Sequence, residues 1–570
     1  MRRKNTARLR WILPEDTRVA LPPDLLEKYK LSPLAASILS RNGLCDCENI
    51  ERFLSPKLRT LSDPFLLPEM SRAVARIDQA LRQREKILLY GDYDVDGVTS
   101  LTILARLLLA YGGDVEMFLP SRSEEGYGLS DLGIERCLQN TKNALLIAVD
   151  CGTNSVEEVK KIRQYDADVI IVDHHEYSGV RPDCIALVNP KCGEDFQYLC
   201  SAGLAFKLAH ALLKNCPLPG FDLKNYLDLV ALATLADLVP LIEENRILVR
   251  YGLLQLEKSC WPGVAALMRV SGVGPRVSSE DVGFRLGPRI NAAGRVGSAY
   301  LALQLLMTND VQEADKIARQ LHDQNTERQS IERQVTEEAD AWVKDNFNPE
   351  NDYSIVMGNE QWHEGVLGIV ASRVMRLHHR PSLIVSFQND GSGKGSGRSI
   401  EGLSLVEALQ HCSDLLEGYG GHEMAAGLTI RRENFEAFQK RFEDVVKKLL
   451  DQEMLIPSIQ LDAEMPIDCV DFDTLDEQAS LEPYGMGNRQ PLLFTRALTP
   501  SEPPRVLKDK HLRIAFSCNG SKRIQSIYFN GAQHELPRPP WDVAFRLERN
   551  EWNGRVEAQM NIVAIRASEA

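Results

Sequence analysis

Lys86-Ile-Leu-Leu-Tyr90-Gly91-Asp92-Tyr93-Asp94-Val95-Asp96-Gly97 decides how this chain folds. Its first half is a short apolar run of the kind that forms a buried strand. Its second half crowds three carboxylates into a glycine-bounded turn. A helical pattern follows from about Val98 to Tyr111. Further along, the theme returns in variation. Ala144-Leu-Leu-Ile-Ala-Val149 leads into Asp150-Cys151-Gly152, Asp168-Val-Ile-Ile-Val172 leads into Asp173-His174-His175, and Ile185-Ala-Leu-Val188 is a fourth apolar run. Short apolar strands separated by helical segments predict a parallel sheet of βαβ units. Ligands of open α/β sheets bind outside the carboxyl ends of the strands. Three strand ends therefore deliver acids or histidines to one edge. Asp237, near the end of a helical stretch from Asn225 to Leu238, is expected to approach the same edge.

Carboxylate with imidazole suits Mn²⁺, and carboxylate with water suits Mg²⁺. So many acids in one place repel each other unless cations neutralise them. Two divalent ions roughly 4 Å apart would do so, activate a water and hold a phosphoryl group for in-line attack. Singly, Asp-x-Asp-Gly is as readily a polar turn, a His-His pair is more often incidental, and Asp237 reads as a cap or salt-bridge partner. Acids or histidines at three successive strand ends point instead to a metal site.

With 570 residues the chain is too long for one core, and about three or four domains are expected. Residues 1–75 read as a helical lead-in and 76–310 as the α/β domain carrying the acidic edge. Residues 311–348 read as a linker helix, with Ile317, Leu321, Ile331, Val335 and Ala339 at helical spacing. Strands at 353–357 and 382–386 with helices near 365–377 and 433–451 predict a second α/β domain over 349–453. Short alternating segments at 512–516, 524–528 and 542–545 predict an all-β, OB-like barrel over 454–570.

Composition excludes more than it selects. No apolar run is long enough to span a bilayer, and no apolar segment follows the basic start Met1-Arg2-Arg3-Lys4, so neither a membrane association nor a secretory signal is expected. The twelve cysteines contain no Cys-x-x-Cys, which argues against a zinc ribbon or disulfide framework and for reduced thiols in a cytoplasmic protein. Cys151 reads as a small buried filler. The net charge of −14 runs against a uniformly basic nucleic-acid surface, but a metal site collects carboxylates and a local basic groove fits inside an acidic total.

The ordered set strand–Asp-x-Asp-Gly, strand–Asp-x-Gly, strand–Asp-His-His and helix–Ala-Asp resembles the four motifs of the DHH phosphoesterase superfamily. Gly420-Gly421-His422-Glu-Met-Ala425-Ala426-Gly427 resembles the signature of the associated DHHA1 domain. Glu125-Gly126-Tyr127-Gly128, Gly287 to Arg295, His363 to Ile369, Ser396-Gly-Arg398-Ser399, Pro483 to Asn488 and the lead-in from Phe53 to Pro64 look RecJ-like. The resemblance covers nearly the whole chain. It implies a processive 5′→3′ exonuclease on single-stranded DNA in recombination and repair. It also implies cooperation with a single-stranded-DNA-binding protein and a helicase, and we expect a monomer.

Carried over residue by residue, the resemblance implies metal ligands at Asp94, Asp96, Asp150, His174 and Asp237, with Asp92 close by as ligand or catalytic group. His175 would touch the scissile phosphate. One departure is Tyr90, which stands where many DHH proteins have a histidine. A phenol is a poor ligand for these ions at neutral pH. The resemblance also implies that Ser396, Arg398 and Ser399 grip a terminal 5′ phosphate. Read from its residues, Gly391 to Ser399 is a glycine-rich loop, either an anion-binding nest or a flexible tip. Gly420, Gly421 and His422 would admit a phosphate closely, or else form a helix-start turn with a core histidine. Asn291 lies within the RecJ-like stretch. Arg285, Arg289 and Arg295 lie in loop-like sequence and would track a nucleic-acid backbone, as would Arg122, or else are scattered surface arginines. In the last domain Lys508, Lys510, Arg513, Lys522 and Arg523 offer charge, while Tyr528 and Phe529 offer stacking or are simply core. The linker helix would set two α/β domains around a cleft that admits one strand.

Two other functions compete with this reading. One is a DHH phosphodiesterase for short oligonucleotides or cyclic dinucleotides, disfavoured by the lead-in and third domain. The other is a non-catalytic binding protein on a decayed nuclease, disfavoured because only Tyr90 departs from the pattern.

Overall fold

The apolar runs form a five-stranded, all-parallel sheet. Its strands are β1 (Lys86–Tyr90), β2 (Asp114–Phe118), β3 (Leu145–Val149), β4 (Asp168–Val172) and β5 (Ala186–Val188), in the order β2-β1-β3-β4-β5. The structure, a computed structural model, describes residues 9–14, 21, 23–122, 125–139, 141, 143–518, 522–552 and 554–568. The basic start and the side chain of Lys522 lie outside the described residues.

Side chains of successive strand residues point to opposite faces. Leu89, Ile147, Val149, Ile170 and Val172 enter one core with helices α1 (Val95–Ala110), α4 (Ser201–Asn215), α5 (Leu227–Ala236) and α6 (Glu243–Leu256). Leu88, Tyr90, Leu146, Ala148, Val169 and Ile171 enter the other, with α2 (Asp131–Leu138) and α3 (Val156–Arg163). Burial on both faces is why these strands read as continuous apolar runs. The edge strand β2 escaped that reading because it is half-exposed and carries Asp114 and Glu116.

The described residues fall into two compact units, one drawn from Met1–Leu13 and Thr326–Leu461 and the other from Pro14–Asn325 and Asp462–Ala570. In the larger unit a seven-stranded mixed sheet spans Ala463 to Ala567, dominated by the long hairpin of Trp541–Trp552 with Arg555–Ala567. Among the described residues the lead-in includes the short helices Pro23–Tyr29, Pro33–Arg41 and Cys47–Leu54. Arg246 of α6 stitches these parts together. Its guanidinium donates to Phe53 O, Leu481 O, Glu482 O and Pro483 O. The RecJ-like stretch Pro483 to Asn488 is thus a structural clamp, with Asn488 donating to Leu481 O and Pro483 O, and Leu241 N–H donating to Met486 O at 2.7 Å.

Helix α8 (Val311–Asn346) covers the predicted linker. Its first part buries Ile317 and Leu321 in the larger unit's core, and its last part buries Val335, Ala339 and Val343 against Ile355 and Trp362 in the smaller unit.

The smaller unit holds a five-stranded mixed sheet built from β6 (Ile355–Asn359), β7 (Ser382–Phe387), β8 (Ser392–Arg398), β9 (Leu416–Gly421) and β10 (Ala425–Arg431), in the order β9-β10-β8-β7-β6. Here the structure corrects two readings. The glycine-rich segment is strand β8, paired on both sides, so its backbone N–H groups are committed to ladders and form no nest. Its glycines serve packing: a Cβ on Gly397 would meet Leu383 Cδ2 at 2.4 Å and Leu405 Cδ2 at 2.7 Å. Likewise Gly420-Gly421-His422 is a β-hairpin, with His422 N–H donating to Ala425 O, and not a helix start. In the larger unit, Arg285 lies in a π-helical turn (Val282–Leu286) and Arg289, Asn291 and Arg295 in α7 (Gly287–Val296), where a loop was expected.

Candidate metal centre

The acidic residues converge at the carboxyl edge of the parallel sheet. Asp92 and Asp94 follow β1. Asp94 caps α1, its Oδ1 accepting from Asp96 N–H at 2.9 Å and Gly97 N–H at 3.1 Å. That cap starts α1 at Val95, earlier than the apolar pattern alone implies. Asp96 is buried, and both its oxygens accept backbone N–H groups from the start of α4: Ser201 N–H to Oδ2 and Ala202 N–H to Oδ1, each at 2.7 Å. The loop is anchored from α7 as well, because Asn291 Oδ1 accepts from Val95 N–H at 3.1 Å.

Asp150 follows β3 with a left-handed backbone, φ +63°. Its N–H donates to Val172 O at 3.0 Å, and its Oδ1 accepts from the Ser201 hydroxyl at 2.8 Å. His174 follows β4, and its Nε2 lies 3.5 Å from Asp150 Oδ1, 3.6 Å from Asp237 Oδ2 and 3.8 Å from Asp96 Oδ2. Asp237 is the C-cap of α5. Three overlapping sets result: Asp92, Asp94 and Asp150; Asp96, His174 and Asp237; and Asp150, His174 and His175. Within each set the ligand atoms lie within 4.8 Å of one another.

His175 is oriented differently. Its Nδ1 lies 2.7 Å from Asp173 Oδ1 and its Nε2 2.8 Å from Tyr127 Oη. Asp173 is itself fixed by Thr153 N–H at 2.9 Å and His174 N–H at 2.8 Å. Burial alone would raise Asp173, but its hydrogen bond and charge interaction with His175 hold it well below the usual carboxylate range. Burial works against a charged His175, yet Asp173 pushes it up to about 9. His174, half-buried and without such a bond, is pushed down by its partial burial.

The remaining acids crowd carboxylates together in a largely buried place. Burial first, then neighbouring carboxylates, drive Asp92, Asp94 and Asp150 upward, and push Asp237 up to about 8. Asp92 Oδ1 is buried without a hydrogen-bond partner. An orphaned buried oxygen beside crowded acids is the donor set that a hard divalent cation satisfies. The residues present therefore fit such ions.

Tyr90 is fully buried, its ring tilted against Phe118 with centroids 4.9 Å apart, and its hydroxyl donates to Gly128 O at 3.0 Å. It is spoken for by the fold. Arg122 lies over the Tyr93 ring at 5.5 Å. Arg289 bonds Arg285 O and His322 Nδ1, and Arg295 lies on the same helix α7. In the smaller unit Arg398 donates to Ser396 Oγ at 3.2 Å and Gly397 O at 2.7 Å. Ser399 is buried with its hydroxyl on Leu403 O, and Gly420, Gly421 and His422 are exposed on their hairpin. Sequence reasoning gave no role to Ser201 or Tyr127. Ser201 is 51 positions from the aspartate it bonds, and no local spacing marks it.

Three family models match the chain: the DHH family, N-terminal domain, over residues 86–234, the DHHA1 domain over 351–448 and the RecJ OB domain over 461–564. The chain is 34% identical over 575 residues to the single-stranded-DNA-specific exonuclease RecJ of Bacillus subtilis, covering 99% of this chain and 71% of that protein. It is 35% identical to that of Thermus thermophilus, covering 99% and 79%. The crystal structure of Thermus thermophilus RecJ in complex with Mn²⁺ superimposes with a TM-score of 0.84 at 32% identity, over 99% of this chain and 80% of that one. The Mg²⁺ complex from the same source gives 0.78 over 99% and 79% at 32% identity. Because the match runs through all three domains and the acidic edge alike, the chain belongs to the RecJ family.

Proposed function

We propose that this chain degrades single-stranded DNA from the 5′ end by two-metal-ion hydrolysis of phosphodiester bonds, in DNA recombination and repair. It is a metal-dependent, single-strand-specific exonuclease: its curated relatives are named for single-stranded-DNA-specific exonuclease activity, and the similar RecJ structures are complexes with Mn²⁺ or Mg²⁺. One observation carries the chemical reading: carboxylates that follow β1, β3 and α5 and two imidazoles that follow β4 meet in three sets, each within 4.8 Å.

Asp92, Asp94, Asp96, Asp150, His174 and Asp237 would hold two Mn²⁺ or Mg²⁺ ions. Bound there, the ions supply neutralisation of the carboxylates, an activated water and polarisation of the phosphoryl group. The chain's own residues supply alignment. Asp94 and Asp96 are locked by backbone N–H groups at 2.7–3.1 Å, so their oxygens are preset. His175, tied to Asp173 through Nδ1, would present Nε2 to the scissile phosphate in the place now taken by Tyr127 Oη. Asn291, which secures the Asp94 loop, would support the site from α7, and Arg122, Arg289 and Arg295 would meet the strand's backbone. Ser396, Arg398, Gly420, Gly421 and His422 would hold the terminal phosphate, with Ser399 shaping the strand end.

The family resemblance also supports the domain limits read from the sequence, work as a monomer, cooperation with a single-stranded-DNA-binding protein and a helicase, and a cytoplasmic setting. Among the described residues no helix is long and apolar enough to cross a membrane.

Digestion of 5′- and 3′-end-labelled single strands and duplexes with Mn²⁺ or Mg²⁺, beside a dinucleotide, tests the proposal. Early release of 5′ label from the single strand is expected. A strong preference for the dinucleotide would replace this reading with that of a short-oligonucleotide phosphodiesterase.

A further inference from the structure

Ser201 opens α4 and is fully buried. One residue there serves two carboxylates from different strand ends. Its hydroxyl donates to Asp150 Oδ1 at 2.8 Å, and its backbone N–H donates to Asp96 Oδ2 at 2.7 Å, beside Ala202 N–H on Asp96 Oδ1. A carboxylate at a helix N-terminus is ordinary. A helix start that ties two acids belonging to neither its own helix nor each other's strand is a spacer, because it sets the distance between them.

We infer that Ser201 is a positioning residue for the divalent ions, fixing Asp150 through its hydroxyl and Asp96 through its backbone. The inference rests on the metal reading above. Asp150 needs such a fixture. It follows β3 in a left-handed conformation, and its carboxylate is buried among other acids that repel it. The hydroxyl donates into one lone pair of Oδ1 and leaves Oδ2 and the second lone pair of Oδ1 for a cation. The platform is rigid. Lys207, on the same helix, is also fully buried, donates to Ser62 O at 3.0 Å and pairs with Glu244. The register of α4, and with it the place of Ser201, is therefore anchored in the interior.

The two acids depend on Ser201 unequally. Replacing Ser201 by Ala removes the bond to Asp150 but keeps both backbone bonds to Asp96. Asp150 takes part in the sets with Asp92 and Asp94 and with His174 and His175, whereas the set of Asp96, His174 and Asp237 lacks it. One ion should thus suffer and the other should not.

The test is Mn²⁺ binding to the metal-free full chain without DNA, read from the electron paramagnetic resonance signal of the free ion, for wild type and Ser201→Ala. Two ions are expected on the wild type. In Ser201→Ala one should weaken by about 10- to 100-fold, the cost typical of removing a group that orients a ligand. The other should hold within about threefold, and the melting temperature in EDTA and the KM for single-stranded DNA at saturating Mn²⁺ should stay near wild type. If Ser201→Ala does not fold, Ser201→Cys, of similar size with a weak thiol donor, carries the same expectation. A variant titration matching wild type overturns the inference and leaves the metal reading standing. So does a variant in which both ions, the melting temperature and KM shift together, which marks a structural role. A wild type that binds no Mn²⁺ removes the metal reading and this inference with it.

Discussion

His174 Nε2 stands 3.5 Å from Asp150 Oδ1, although the two residues follow different strands. The pairing of β3 with β4 places Val149 opposite Val172, so the chain leaves both strands at one level, and Asp150 meets His174, two residues past Val172. Asp150 adopts φ +63°, a conformation that Asn tolerates well. Asp150→Asn should therefore keep the fold and lose Mn²⁺-dependent nuclease activity by about 100-fold or more. Digestion of labelled single strands, with circular dichroism as the control for folding, checks this. Near-normal turnover at saturating Mn²⁺ would remove Asp150 from the metal set.

Tyr90 is expected to matter for stability alone. Its hydroxyl donates to Gly128 O from a fully buried ring. Tyr90→Phe leaves that carbonyl without its donor and should cost about 1 kcal/mol. Mn²⁺ affinity should not change. Chemical denaturation and metal titration read the two quantities separately, and a weakened metal site would restore Tyr90 as a ligand.

Asp228 predicts a pH dependence unconnected with metal. Burial pushes its carboxyl up to about 7, against the opposing hydrogen bond from the Ser259 hydroxyl. With the folded-state value above the ordinary 3.8, its stabilising contribution is complete below that value and is lost as the pH rises through about 7. Asp228→Asn removes this loss, up to roughly 4 kcal/mol by the pKa difference. Melting temperatures of both proteins from pH 4 to 8 should diverge in the variant's favour as the pH rises. Parallel curves would contradict the assignment.

Arg246 has four backbone carbonyls as acceptors, and burial pushes its guanidinium down to about 9. Arg246→Met strands those acceptors and should destabilise by about 3 kcal/mol. Because the carbonyls belong to the lead-in and to the connection between Glu464 and Leu493 of the C-terminal sheet, limited proteolysis should cut near residues 53 and 482 first. A variant resistant at both places would show that the clamp is held by other contacts.

Much of this was legible in the amino-acid sequence, for local reasons. Strands buried on both faces advertise themselves as unbroken apolar runs, and the Asp-x-Asp-Gly, Asp-x-Gly and Asp-His-His turns must lie at their carboxyl ends wherever the chain folds as βαβ units. Helix α8 was equally plain, since Ile317, Leu321, Val335 and Ala339 repeat at helical spacing and are buried. Strand β2 was hidden because an edge strand with Asp114 and Glu116 lacks a buried face to mark it. Strand β8 was hidden because Gly393, Gly395 and Gly397 imitate a loop, while their role is to let Phe387, Leu428 and Leu383 come close.

What belonged to the sequence alone was the type and order of the chemical groups: which acids and histidines there are, and which secondary element ends on each. Their partners belonged to the tertiary structure. That Ser201 holds Asp150 and Asp96, that Asn291 secures Val95, that Tyr127 meets His175 and that Tyr90 bonds Gly128 are contacts between residues 38 to 196 positions apart. No local periodicity encodes such distances. They are set only when the two cores on either face of the sheet close and bring the helix starts and loop backbones to the edge where the acids wait.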